Sequence, residues 1–120
     1  MKLKIKNLEV FRTYANAYYQ SNSNRCWNRV VIGCGETPDW YDFRVVHGGF
    51  QWTIKLGKNP DFMPHWPVEV LWKKNSQAAV RRLMETNVDV DVVRSKEKWA
   101  DWISEIIDRA VSHNHNLIHS

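Results

Sequence analysis

The chain has little cysteine, little proline outside one short segment and no long apolar run. Two cysteines in 120 residues, Cys26 and Cys34, are too few for a disulfide scaffold. If the residues between them form a strand, they lie about 26 Å apart at ~3.3 Å per residue, beyond disulfide reach. Both are expected as free thiols, which suits a reducing compartment and a cytoplasmic protein. No segment approaches the ~18 consecutive apolar residues of a membrane span, and MKLKIK at the start lacks the apolar core of a secretory signal. A membrane partner is therefore not expected. The spacings of a structural zinc site, a phosphate-binding loop and a catalytic triad are all missing. The sequence therefore assigns no metal, no cofactor and no catalytic residue, and an enzyme is the less expected class.

Tryptophan is what the chain has in excess, with seven in 120 residues. So many indoles exceed the needs of one core of this size, and some are expected to be at least partly exposed. Net charge is +4 but unevenly spread. Residues 1–35 carry six basic and one acidic side chain (+5), residues 36–47 one and three (−2), residues 48–82 six and two (+4), and residues 83–120 four and seven (−3). A basic front and an acidic end can steer an anionic partner to one side.

Tyr41 to Leu56 reads as a β-hairpin closed by Gly48-Gly49. Phe50, Trp52, Ile54 and Leu56 alternate with Gln51, Thr53 and Lys55, and Tyr41, Phe43 and Val45 share the matching face of the first arm. Two glycines suit a I′ or II′ link, where φ > 0 is needed. Upstream, Lys alternates with Leu3 and Ile5 in a short expected strand. Leu8, Phe11, Ala15 and Tyr18 then fit an amphipathic helix capped by Asn7, although Val10, Tyr14 and Tyr19 also suit a strand. Trp27 to Ile32 reads as a strand that Gly33-Cys34-Gly35 stops in a turn. Cys34 between two glycines is a candidate nucleophile only if a neighbour lowers its pKa.

Downstream, Val68 to Trp72 reads as a strand, Ser76 to Thr86 as a helix with Ala79, Val80, Leu83 and Met84 on one face, and Val88 to Val93 as a strand. That order predicts a right-handed crossover and a partly parallel sheet. Asp89 and Asp91 then share a strand face, either solvated or holding a divalent cation. The clearest helix is Lys96 to Ser112, where Trp99, Trp102, Ile103, Ile106, Ile107, Ala110 and Val111 form one apolar stripe behind a Ser95 N-cap. His113, His115 and His119 fall in a polar tail, residues 113–120. The expected architecture is a single α+β domain over 1–120: a mixed, mainly antiparallel sheet of four to six strands packed by two or three helices.

The inferred order αβββαβ resembles that of the restriction-endonuclease-like core. Asp42 stands where such nucleases place an acid on the second strand, and Lys55 where they place a lysine on the third. Thr53 occupies the position of the second metal-binding acid, so the metal-dependent nuclease motif is incomplete.

Two binding functions rank above it. The first is docking on a larger protein or protein–nucleic acid assembly, as an inhibitor or regulator. It uses the Pro-aromatic segment Gly57 to Pro67 and the adjacent sheet, with Phe62, Met63, His65, Trp66, Lys58 and Arg44 as contact residues. Prolines hold large side chains in fixed positions, and Trp, Met and Arg are enriched at interface centres. The second is nucleic-acid binding, with Tyr18, Tyr19 and Trp27 stacking on bases beside Arg12, Arg25 and Arg29.

Overall fold

The structure, a computed structural model, describes residues 3–22, 29–59, 65–74 and 81–113, with the backbone alone at 65, 81–84, 110, 111 and 113. Helix α1 (Leu8–Ser21) is followed by five strands, β1 (Arg29–Glu36), β2 (Trp40–His47), β3 (Phe50–Gly57), β4 (His65–Lys74) and β5 (Arg81–Asp89). A short helix α2 (Val90–Val93) and the long α3 (Lys96–His113) complete the fold. The strands lie in sequence order and every neighbouring pair is antiparallel. This is an α+β domain with a five-strand meander and a C-terminal helix.

The hairpin forms as its pattern dictates. Gly48 and Gly49 take φ of 62° and 79°, the positive values a two-residue type I′ link requires, and His47 faces Phe50 across it. Along the inward face of both arms Tyr41, Phe43, Val45, Phe50, Trp52, Ile54 and Leu56 are buried, and His47 beside the link is half-buried. From β4 and β5, Trp66, Val68, Val70, Trp72 and Val88 extend this inner face.

Helices α1 and α3 lie side by side over it. Trp99 of α3 meets Phe43 edge to face at 5.3 Å, and Ile103, Ile106 and Ile107 are buried along the expected stripe. The Tyr19 hydroxyl of α1 donates to the Ala100 carbonyl of α3 at 2.9 Å. Both expected caps are present. The Val10 N–H donates to Asn7 Oδ1, and the Lys98 N–H donates to Ser95 Oγ. Glu97, whose carboxyl is held below its usual range by its own backbone N–H and by Ser95, places an acid at the positive end of α3 among Arg94, Lys96 and Lys98.

The structure corrects several expectations. Residues 3–7 are not a strand. Leu3 turns inward and Lys4 outward as the alternation indicates, yet the segment is tied by the Leu3 N–H to the Lys58 carbonyl (2.7 Å) and the Ile5 N–H to the Tyr41 hydroxyl (2.9 Å), with no ladder. Gly33-Cys34-Gly35 is no turn but the second half of β1, which carries a bulge between Val31 and Gly33. The glycines make room for side chains of β2: a Cβ on Gly33 would lie 2.7 Å from Arg44 Nη2, and one on Gly35 3.0 Å from Asp42 Oδ2.

Residues 81–86, expected in a helix, belong to β5, and β4 begins at His65 rather than Val68. The four apolar positions from Ala79 to Met84 are too few to separate a helical period from a strand, and pairing Met84 with Val70 and Thr86 with Val68 decides the matter. Val90 to Val93 is one helical turn, because Asp89 ends the strand by accepting the Asp91 N–H. Asp89 and Asp91 thus serve a cap and a first turn, not a strand face. No parallel pair exists in the described sheet, and the nuclease-like αβββαβ order is replaced by αβββββαα.

One-sided burial predicts one-sided sensitivity. Phe43→Ala should cost about 3–5 kcal/mol of unfolding free energy, whereas Val30→Thr on the other face should stay within about 0.5 kcal/mol. Urea unfolding of both variants checks this, and equal losses would contradict the layering.

Candidate docking surface on the open sheet face

The sheet has a second face, and strand register defines it. Val30, Val46, Gln51 and Lys73 form one row across four strands, and Gly33, Arg44, Thr53 and Leu71 the next. Asp42, Lys55, Glu69 and Glu85 form a third row. These described side chains are exposed or half-buried. Val30 is 42% exposed and Ile32, the extra residue of the β1 bulge, 49%. With half-buried Val46, the cross-strand partner of Val30, they make an aliphatic area at the β1 side of the face, and half-buried Leu71 lies beyond Gln51 and Thr53 on β4. Alternation places Ile32 on the same face as Val30, with Val31 turned under α1 between them, and the bulge keeps the next residue, Gly33, on that face opposite Arg44.

Arg44 borders this area. Its Nη2 donates to the Cys34 carbonyl at 3.3 Å, across Gly33, and its Nε lies 3.5 Å from Asp42 Oδ1. The guanidinium is thereby held over the edge strand while remaining exposed. In the third row Lys55 is the one cation among three carboxylates, and its Nζ sits 4.7 Å from the centre of the Trp40 ring.

Of the six residues expected to contact a macromolecular partner, Arg44 alone is both described and exposed. Trp66 points inward and is only 1% exposed. Lys58 is buried, with Nζ paired to Glu36 and 4.6 Å from the Tyr41 ring centre. Phe62 and Met63 lie outside the described residues, as does the side chain of His65.

The set expected for nucleic acid is dispersed in the same way. Arg12 is paired with Glu9 at 2.7 Å, and the Tyr18 hydroxyl donates to Asp101. Tyr19 is buried between helices. Arg29, the first residue of β1, is buried against α3, donating to Ser104 and paired with Asp108. Arg25 and Trp27 lie outside the described residues. Of the other tryptophans, Trp40 and Trp102 are half-buried and Trp52, Trp72 and Trp99 are buried. The described indoles therefore fill the core and its margins, with Trp102 stacked on Trp99 at 5.3 Å.

Sequence reasoning missed Val30, Ile32 and Leu71. In WNRVVI three aliphatic residues run together, so no polar–apolar alternation reveals which faces out, and pairing with β2 together with packing against α1 settles it.

Among the described residues, no three His, Cys, Asp or Glu side chains cluster as a metal site, and no helix is long and apolar enough to cross a membrane. The Asp42 and Lys55 of the nuclease comparison face each other across β2 and β3, with Lys55 engaged by Trp40. No protein-family model, no curated protein and no solved structure matches the chain.

Cys34 is poorly suited to nucleophilic chemistry. Burial pushes its pKa up to about 11, and the Glu9 carboxylate, which accepts its S–H at 3.3 Å, adds to the shift. Both effects disfavour the thiolate, so the thiol stays protonated at neutral pH. In a Cys26→Ser variant, alkylation of Cys34 should be slow at pH 8 and rise toward a midpoint near the value of about 11. Following iodoacetamide labelling against pH checks this, and a midpoint at or below the ~8.5 of a free thiol would contradict it.

Proposed function

We propose that this chain is a non-enzymatic binding module that docks on a larger protein through the open face of its sheet. The observation that carries this reading is the pairing of exposed Val30 and Ile32 with a guanidinium held beside them by Gly33 and Cys34. Apolar side chains flanked by an ordered Arg are the composition of an interface centre with a polar margin. Five strands at ~4.8 Å and eight residues at ~3.3 Å give a face of about 600 Å², most of the ~800 Å² per partner of a standard interface.

The sign pattern favours a protein over a nucleic acid. Binding to a phosphate backbone scales with cations free to neutralise it, whereas on this face Arg44, Lys55 and Lys73 are interspersed with Asp42, Glu69 and Glu85. A module of this size acts by covering or repositioning a partner's surface, which is the role of an inhibitor or regulator. The free thiol of Cys34 supports a cytoplasmic setting for it.

Affinity capture from the source cells, with nuclease treatment, compares the native chain with Ile32→Asp, Arg44→Glu and the helix-side control Val10→Asp. A protein retained by the native chain and by Val10→Asp, and depleted at least tenfold by both open-face substitutions, is the expected result. Capture that survives Ile32→Asp and Arg44→Glu, or that nuclease abolishes, would overturn the proposal.

A further inference from the structure

A cleft of about 360 Å³ opens on the helix side, at the end of the sheet where β4 begins. Its walls are the extended segment 3–6, Phe11 of α1, Trp66 of β4, Val90 and Val93 of α2, and Arg94. The volume falls within the ~300–1,000 Å³ of small-molecule sites. The lining separates into two chemical parts. Leu3, Ile5, Phe11, Trp66, Val90 and Val93 supply apolar surface, while Lys4, Lys6 and Arg94 supply three cations.

No acid lines the cleft, and none of the three cations forms an ion pair with the described residues. All three are exposed at its margin. Like charges gathered round one opening repel, and an anion seated among them relieves that repulsion. A second observation points the same way. Trp66 Nε1 is a buried donor with no acceptor among the described residues, on a side chain that lines the cleft. Buried N–H groups normally have partners, and an orphan beside a cavity marks a place where an acceptor is wanted.

We propose that this cleft binds an amphipathic carboxylate of the medium-chain fatty-acid class, at a site separate from the docking face. The alkyl chain lies against Leu3, Phe11, Val90 and Val93, and the carboxylate is held among Lys4, Lys6 and Arg94, with one of its oxygens accepting the Trp66 indole N–H. The alternation of residues 3–6 explains how one segment serves both parts: Leu3 and Ile5 turn toward the core, Lys4 and Lys6 toward solvent. A free inorganic anion would use only the cations and leave the apolar wall uncovered. A neutral alkane would leave the cations unpaired.

Decanoate titrated into the 15N-labelled protein tests this directly. Saturable shifts are expected at the backbone amides of residues 3–6 and 90–94 and at the Trp66 indole N–H. Decanol and inorganic phosphate should each bind at least tenfold more weakly. The double variant Lys6→Ala with Arg94→Ala, both surface positions, should weaken decanoate at least tenfold while leaving the rest of the spectrum unchanged. Ile32→Asp should leave decanoate binding intact, which separates this site from the docking face. Unsaturable or scattered shifts, equal affinity for decanol, or an unaltered affinity in the double variant would each overturn the proposal.

Discussion

The contact on which the structure depends is that between Phe43 in the middle of β2 and Trp99 in the first turns of α3, ring against ring at 5.3 Å. It decides which side of the sheet is covered. Side chains alternate across a strand, so once Phe43 is committed to the helix, Asp42 and Arg44 are committed to the other side. Register then propagates that decision through Ile54 and Val70 on the covered side, and through Thr53 and Leu71 on the uncovered one. A one-residue slip would exchange the two faces, and the buried aromatic set makes such a slip costly.

The edges of the sheet are secured by different means. At β1, Asn16 of α1 accepts the Val31 N–H, and Arg29 reaches into α3 to Ser104 and Asp108. A free strand edge invites pairing with another chain. Here one edge N–H is occupied by a helix side chain, and the docking surface we propose is the flat of the sheet. At the far side, the chain leaves β5 through the Asp89 cap and turns directly into α2. That reversal carries Val90, Val93 and Arg94 back over the strand ends, where they complete the cleft with residues 3–6. Both surfaces discussed above are thus consequences of how the meander is closed.

Much of this was legible in the sequence, and the gaps have physical causes. The hairpin, its Gly-Gly link, the stripe of α3 and the Asn7 and Ser95 caps are local patterns with a single geometric solution, and each formed as read. The stretch from Ala79 to Val93 was not legible. Its apolar spacing fits more than one period, and strand pairing with β4, a non-local interaction, chose between them. The glycines at 33 and 35 signalled a turn by composition, but their function is to admit Arg44 and Asp42 from the neighbouring strand, which no local pattern records. Tryptophan number pointed to indoles that one core does not fully enclose, and Trp40 and Trp102 are half-buried; among the described residues, the most exposed large apolar side chains are nevertheless aliphatic.

The docking account rests on the sheet being covered on one side only, and solvent exposure at individual methyl groups measures that most directly. In methyl-labelled protein, a soluble paramagnetic agent should strongly broaden the Val30 and Ile32 signals, affect Val46 and Leu71 to an intermediate degree, and leave Val45, Ile54 and Val70 sharp. Equal protection of Val30 and Ile32 with Val45 and Ile54 would mean that the second face is covered in solution, and would contradict the account.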